Sequence, residues 1–295
     1  MDAEGLFDTA LVRRNRLRAL TGAPDGSDFL LKLVNQELSD RLATVERRFE
    51  TAVALHAHDP QLAALVAATG KADRVIRIEQ HRDMLGDDAA GGIACELELF
   101  PMGEETTGLV VSPLSMHLVN DLPGLLVQIR QALLPDGLLL AALPGTGTLA
   151  ELRDCLLTAE TELSGGASPR VIPFADVRDC GALLQRAGFA LPVADVETYT
   201  ARYDTMFALM RDLRHMGMAN PLRARSRKPA TRSLFLRAAQ IYADRYSDPD
   251  GRIRASFCVL YLSGWKPHES QQKPLSPGSA KIPLAAALGT RERKL

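Results

Sequence analysis

The sequence predicts an α/β fold built on a doubly wound, mostly parallel sheet. Three observations carry that expectation. Leu109-Val110-Val111-Ser112 and Leu138 to Leu143 are short apolar runs of the kind buried on both faces of a parallel sheet. A helix-length segment, 121–134, and the turn Pro135-Asp136-Gly137 separate them. Upstream, strand-like and helix-like segments alternate as in βαβ units, whose right-handed crossovers restrict the topology to the doubly wound class.

The elements follow in order. Residues 28–48 place Phe29, Leu30, Leu33, Val34, Leu38, Leu42 and Val45 at helical spacing, with Asp28 at the N-cap. Ala52-Val53-Ala54-Leu55 reads as a strand, and 61–69 as a helix that Gly70 terminates. Arg74 to Ile78 is the next strand, and Asp87 to Gly92 a turn-rich loop. The apolar/acidic alternation of Cys95 to Phe100 predicts a third strand, followed by the buried fourth at 109–112. Asn120-Asp121 caps the helix that follows. Further helices are expected over 148–163, 174–187, 204–216 and 230–246, with strands near 193–203 and 255–265. The last strand, which carries Phe257, Val259, Tyr261 and Trp265, suits a late antiparallel position in the sheet. The stripe Met206, Leu209, Met210, Leu213 and Met216 predicts a core-facing helix.

At 295 residues, the chain can bury a full core. A net charge of −1 argues against a general nucleic-acid binder and leaves room only for local basic clusters. Four cysteines, at 95, 155, 180 and 258, form no Cys-x-x-Cys pair and no zinc spacing, so free thiols in a reducing compartment are expected. No apolar stretch approaches the roughly 18 to 20 residues that span a bilayer. The basic segment Arg13-Arg14-Asn15-Arg16-Leu17-Arg18 follows Asp2, Glu4 and Asp8, which fits a transit peptide poorly. The expected localisation is cytoplasmic, peripheral to the inner membrane.

Several segments resemble one family. They include Ser112-Pro113-Leu114-Ser115-Met116-His117-Leu118-Val119-Asn120-Asp121-Leu122-Pro123, Leu134-Pro135-Asp136-Gly137 and Gly147-Thr148-Leu149-Ala150-Glu151-Leu152-Arg153. Gly165-Gly166-Ala167-Ser168-Pro169-Arg170, Asp212-Leu213-Arg214-His215-Met216-Gly217 and Gly264-Trp265-Lys266-Pro267-His268-Glu269-Ser270-Gln271 belong with them. Together they are similar to the methyltransferase-like complex I assembly factor 5 family, over almost the entire chain outside residues 50–108. The resemblance implies a seven-stranded, Rossmann-like class I methyltransferase fold with N-terminal helices and a helical insertion. The expected organisation is an N-terminal helical extension (1–50), a methyltransferase-like domain (51–265) and a flexible tail (266–295). The implied activity is hydroxylation of an arginine on a core subunit of complex I (NADH:ubiquinone oxidoreductase). A related branch comprises the malonyl-carrier-protein methyltransferases.

In such a fold the loop after the first strand is glycine-rich, because the backbone must approach S-adenosylmethionine closely and adopt positive φ. The family pattern there is Asp-Leu-Gly-Cys-Gly-x-Gly. This chain has Ala54-Leu55-His56-Ala57-His58-Asp59-Pro60, with His, His and Pro at the three glycine positions. The resemblance nevertheless places His56, His58, Glu79, Glu96 and Ser112 around the cofactor. Glu79 matches the acid that accepts from the ribose hydroxyls, and Glu96 the acid that holds the adenine amino group. The aspartate typical before strand four is Gly108.

His56 and His58 alternate on extended chain and can face a common ion. A metal site needs a third ligand, so local hydrogen bonding is the preferred reading and no metal is expected. His117, just beyond strand four, is the candidate catalytic residue, as a substrate-orienting group or proton carrier. Gly145-Thr146-Gly147-Thr148 lacks the ending of a P-loop and reads as a loop with a helix N-cap. The densest positive run, Arg223 to Arg232, suits a solvated loop, an acidic protein or an anionic membrane surface. Three functions fit these observations: an arginine hydroxylase acting on a complex I subunit, an S-adenosylmethionine-dependent methyltransferase, and a non-catalytic assembly scaffold.

Overall fold

Side chains alternate across each strand, and this alternation divides the core into two halves. In the computed structural model, which describes residues 5–271 except 23 and 25, β1 (Phe49–Leu55) turns Ala52 and Ala54 to one face and Val53 and Leu55 to the other. The helices α2 (Phe29–Ala43), α3 (Gln61–Ala68), α5 (Ala150–Ser164), α7 (Met206–His215) and α8 (Arg232–Tyr246) cover the first face. On the second lie α4 (Leu122–Ala132), α6 (Val177–Arg186) and Val12 of α1 (Thr9–Gly22). A sheet buried on both faces needs strands that are apolar throughout, which is why 109–112 and 138–143 read as they do.

The remaining strands are β2 (Ala72–Glu79), β3 (Ile93–Ala94), β4 (Thr107–Pro113), β5 (Leu133–Pro144), β6 (Ala190–Tyr203) and β7 (Ile253–Trp265). Their order is β3-β2-β1-β4-β5-β7-β6. The first five pair in parallel; β7 runs antiparallel to both β5 and β6. Thus the late β-prone segment takes the antiparallel position expected of it, and α7 and α8 form the helical insertion ahead of it. The chain winds outward from β1 to β3, then crosses back to β4. The gap between the carboxyl ends of β1 and β4 is therefore the topological switch point, where ligands bind in open α/β sheets.

Three expectations are corrected. Cys95 to Phe100 is not a strand; β3 ends at Ala94. Glu98 instead accepts from the backbone N–H groups of Asn120 and Asp121 at 2.8 and 3.0 Å, while Gln128 bonds Glu98 O and the Phe100 N–H. These partners lie at the start of α4 and along it, and they draw the segment off the sheet. The helix from residue 28 stops at Ala43, although Val45 still packs on the core. Asp28 occupies the N-cap of α2, but its carboxylate makes no capping bond and pairs with Lys32.

Asp121 does cap α4, accepting from Gly124 N at 2.9 Å, and Pro123 sits in the first turn. Asn120 instead holds the N-terminal arm, accepting from Phe7 N at 2.8 Å. Asp121→Ala should cost about 1 kcal/mol in urea denaturation, the usual value of an N-cap.

The proposed 1–50 and 51–265 division meets β1, which begins at Phe49. Of the 266–295 tail, residues 272–295 lie outside the described residues. Residues 266–271 bond to the turn at Asp136: Lys266 N donates to Gly137 O, and Gln271 Nε2 to Asp136 Oδ1. All four cysteines are free. Among the described residues no helix is long and apolar enough to cross a membrane.

Candidate functional site

A cavity of about 310 Å³ opens at the switch point. Its floor is the loop after β1 (His56 to Asp59) and the segment after β4 (Pro113, Leu114, His117). Arg16 of α1, Asp28 of α2, Leu149 ahead of α5 and the stretch from His215 to Pro221 complete it. Two strips close it from above. Phe7 bridges Leu222, Asp8 N donates to Pro221 O, and Arg225 Nη2 contacts Asp8 at 3.1 Å. The N-terminal arm is thereby tied to the segment after α7.

The backbone around this cavity is held in an uncommon conformation. His56, His58, Leu114 and Leu149 have φ of 52°, 75°, 40° and 52°, and all four line it. Left-handed non-glycine residues cost of order 1–3 kcal/mol each and collect at functional sites. The β1 loop has thus lost the glycines but kept positive φ at the first two of their positions. Pro60 is compatible with its place because it only enters α3, at φ −76°. After β5, Gly147 has φ 102°, and a Cβ there would meet Cys258 Sγ at 2.8 Å. Thr148 does not cap α5; its hydroxyl donates to Cys258 O.

Electrostatics centre on Arg16. Its side chain is buried, Nη2 donates to His56 O at 2.7 Å, and Glu79 stands 4.0 Å away. Glu79 is fully enclosed, accepting from His58 N at 3.0 and 3.2 Å and from Arg77 Nη2 at 3.3 Å. Burial pushes its carboxyl up to about 7, against the opposing pull of the two arginines. His56, His58 and His117 are driven down to about 3, mainly by burial and then by the charge of Arg16. All three imidazoles are neutral at any physiological pH. Asp59 is raised by burial while it accepts from Gln61 N.

Of the residues picked from the sequence, His56, His58 and His117 meet at the cavity. Glu79 lies beneath it, underpinning the loop. Ser112 is buried against Ser115, Oγ to Oγ 2.9 Å. Glu96 is at the surface beside Arg13 at 3.3 Å. Within the run Arg223 to Arg232, Arg223 bonds Phe7 O and Arg225 bonds Leu222 O and Asp8, so both serve the closure. Arg227, Lys228 and Arg232 are exposed.

These positions bear on S-adenosylmethionine. An acid that receives a ribose diol must present free oxygens to the cavity. Both Glu79 oxygens already accept from protein donors, and the side chain has no exposed surface. Glu96 points into solvent. The residues of this chain do not fit the usual adenosine contacts.

Sequence reasoning missed Arg16, Asp28 and His215. Arg16 was legible: Val12, Asn15 and Ala19 share its helical face, which marks it as inward-pointing within a run otherwise read as merely basic. Asp28 looked like a cap, and only its carboxylate, which pairs with Lys32 at 3.0 Å instead of capping α2, distinguishes it.

Comparison with known proteins decides the family. The chain is 36% identical over 287 residues to the human mitochondrial arginine-hydroxylase NDUFAF5, covering 94% of this chain and 81% of that protein. With the zebrafish (Danio rerio) protein of the same name, identity is 37%, covering 95% and 88%. This chain belongs to the NDUFAF5 arginine-hydroxylase family. It is also 30% identical to a malonyl-[acyl-carrier protein] O-methyltransferase of Methylovorus, over 92% of this chain and 94% of that enzyme. No family model matches. Among solved structures, a candidate methyltransferase from Bacillus halodurans aligns with a TM-score of 0.55 at 14% identity, over 79% of this chain and 99% of that one. The Bacillus subtilis YcgJ protein gives 0.52 at 13%, with the same coverage. Both confirm the methyltransferase fold.

Proposed function

We propose that this protein acts as an arginine hydroxylase on a subunit of complex I during assembly, without S-adenosylmethionine bound in the usual manner. The observation that carries the reading is identity of 34–37% with five NDUFAF5 arginine-hydroxylases over 94–97% of this chain. The cavity supports it. Asp28 and Asp59 on its wall supply carboxylates of the kind that pair with guanidinium. His117 and Phe174, with ring centroids 6.4 Å apart, offer π faces beside them. His117 stays neutral and so can orient a substrate without repelling its charge. The protein would work at the periphery of the membrane holding complex I, with Arg227, Lys228 and Arg232 facing anionic lipid.

Mass spectrometry of the complex I subunits from a strain lacking this protein tests the reaction. One arginine should lose a mass increment of one oxygen and regain it on complementation. An unchanged modification state in the deletion strain refutes hydroxylation and leaves an assembly scaffold. Titration with S-adenosylmethionine tests the cofactor statement, and micromolar binding would restore methyl transfer as the better reading.

A further inference from the structure

The two edges of the sheet are unlike. β3 has two residues, whereas β6 runs for 14, more than twice the usual strand length of about 5–6, and pairs with β7 alone. An open edge presents unpaired N–H and C=O groups, so native chains blunt it with proline, lysine, a bulge or a covering element. Here that protection is confined to the ends. Pro192, the left-handed Leu191 at φ 49° and the register shift between Ala190 and Val193 disrupt the first residues of β6. At the far end Arg252 Nη2 donates to Arg202 O at 3.1 Å. Val196 to Thr200 lie between.

The pairing of β7 fixes which way the backbone of this stretch points. Lys266 N donates to Gly137 O and Gly145 N to Cys258 O, so even-numbered residues of β7 turn their backbone groups towards β5 and odd-numbered ones towards β6. Odd residues of β6 oppose odd residues of β7, as in Tyr199 with Phe257. Val196, Thr198 and Thr200 therefore aim N–H and C=O away from the sheet, and none of these groups meets a partner among the described residues. Their side chains share one face, with Val196 50% exposed and both threonines exposed as well. The charges of this stretch lie on the opposite face. There Arg41 holds Asp195 at 2.7 Å and Glu197 at 3.3 Å, and Tyr199 donates to Glu197 at 2.6 Å.

We propose that the chain forms a two-fold dimer by antiparallel pairing of its β6 edges about Thr198, joining two seven-stranded sheets into one. A two-fold interface must be self-complementary, and this edge is. With the axis on Thr198, that residue exchanges both backbone bonds with the partner's Thr198, and Val196 opposes the partner's Thr200. These are β-branched pairs of the kind that stabilise antiparallel ladders. On the other face Glu197 opposes the partner's Tyr199 and Asp195 the partner's Ala201, so no like charges meet. A net charge of −1 leaves little repulsion between copies. The pairing is independent of the cavity and of the proposed reaction.

Sedimentation equilibrium of the full chain up to about 100 μM tests it, since dimer formation follows mass action. A dimer should form, and Thr198→Lys, which sets two ammonium groups face to face on the axis, should weaken it roughly ten-fold or more. Cysteine cross-linking reads the register. In a Cys258→Ser background, which removes the thiol 3.5 Å from Thr198 Oγ1, Thr198→Cys should oxidise to a covalent dimer. The two Cα atoms would stand about 5.5 Å apart, within the roughly 4.4–6.8 Å that a disulfide spans. Thr200→Cys in the same background should not, because its counterpart lies four residues, about 13 Å, along the ladder. A chain that stays monomeric overturns the proposal and leaves the edge to a strand of another protein. So does a dimer that Thr198→Lys leaves intact, or one that cross-links through Thr200→Cys and not Thr198→Cys.

Discussion

Glu79→Ala should destabilise the protein by about 3–5 kcal/mol, the range for removing one member of a buried ion pair. Glu79 is completely enclosed and answers three groups at once: His58 N, Arg77 and, at 4.0 Å, Arg16. Its loss strands Arg16, which has no other carboxylate in contact among the described residues, whereas Arg77 keeps Asp88 at 2.8 Å. It also frees the His58 N–H that holds the loop in its left-handed conformation. Glu79→Gln keeps an acceptor and the shape, and should cost less than half as much. Glu96→Ala is the control. That pair with Arg13 is solvent-exposed, so its removal should change stability by less than about 0.5 kcal/mol. Urea denaturation at pH 7.5 measures all three. Equal losses at 79 and 96 would mean that the two acids are not the buried strut and the surface charge described here.

That contrast also shows where the sequence was readable. The fold was legible because β4 and β5 are unbroken apolar runs and three-to-four-residue spacing marks the helices, and the structure then sorts alternate strand residues between the core halves. Cys95 to Phe100 misled because its alternation lies in residue type and not in burial. Leu97 is buried but Leu99, two residues on, is exposed, and Glu98 holds the entry to α4 rather than facing solvent from a strand. The site was only half legible. His56, His58 and His117 stood out by residue type and place. The partnership of Arg16 with His56 spans forty positions, and no local pattern encodes it. The loop itself held a second surprise. The sequence set His56 and His58 on extended chain, whereas both have positive φ and place imidazoles where glycine has no side chain.

The same imidazoles should make the protein acid-sensitive. In the folded chain His56, His58 and His117 are held at about 3, against 6.5 for an ordinary histidine, by burial first and the charge of Arg16 second. Between those values the unfolded chain binds more protons, so stability is lost as the pH falls from about 6.5 towards 3. Glu79 works the other way. Raised from 4.5 to about 7, it contributes stability that is complete below 4.5 and lost as the pH rises through 7. Three groups therefore oppose one, and the acid side wins. With about 1.4 kcal/mol per proton and pH unit, the net loss is about 2–3 kcal/mol for each unit between pH 6.5 and 5. That is a large fraction of a typical 5–15 kcal/mol, so cooperative unfolding is expected above pH 4. His56→Asn removes one titrating group while keeping a residue that tolerates left-handed backbone. It should halve the slope of stability against pH in this interval, as measured by denaturant titrations at half-unit steps. A wild-type profile that stays flat from pH 7 to 5 would mean that the imidazoles are hydrated in the folded protein and free to charge.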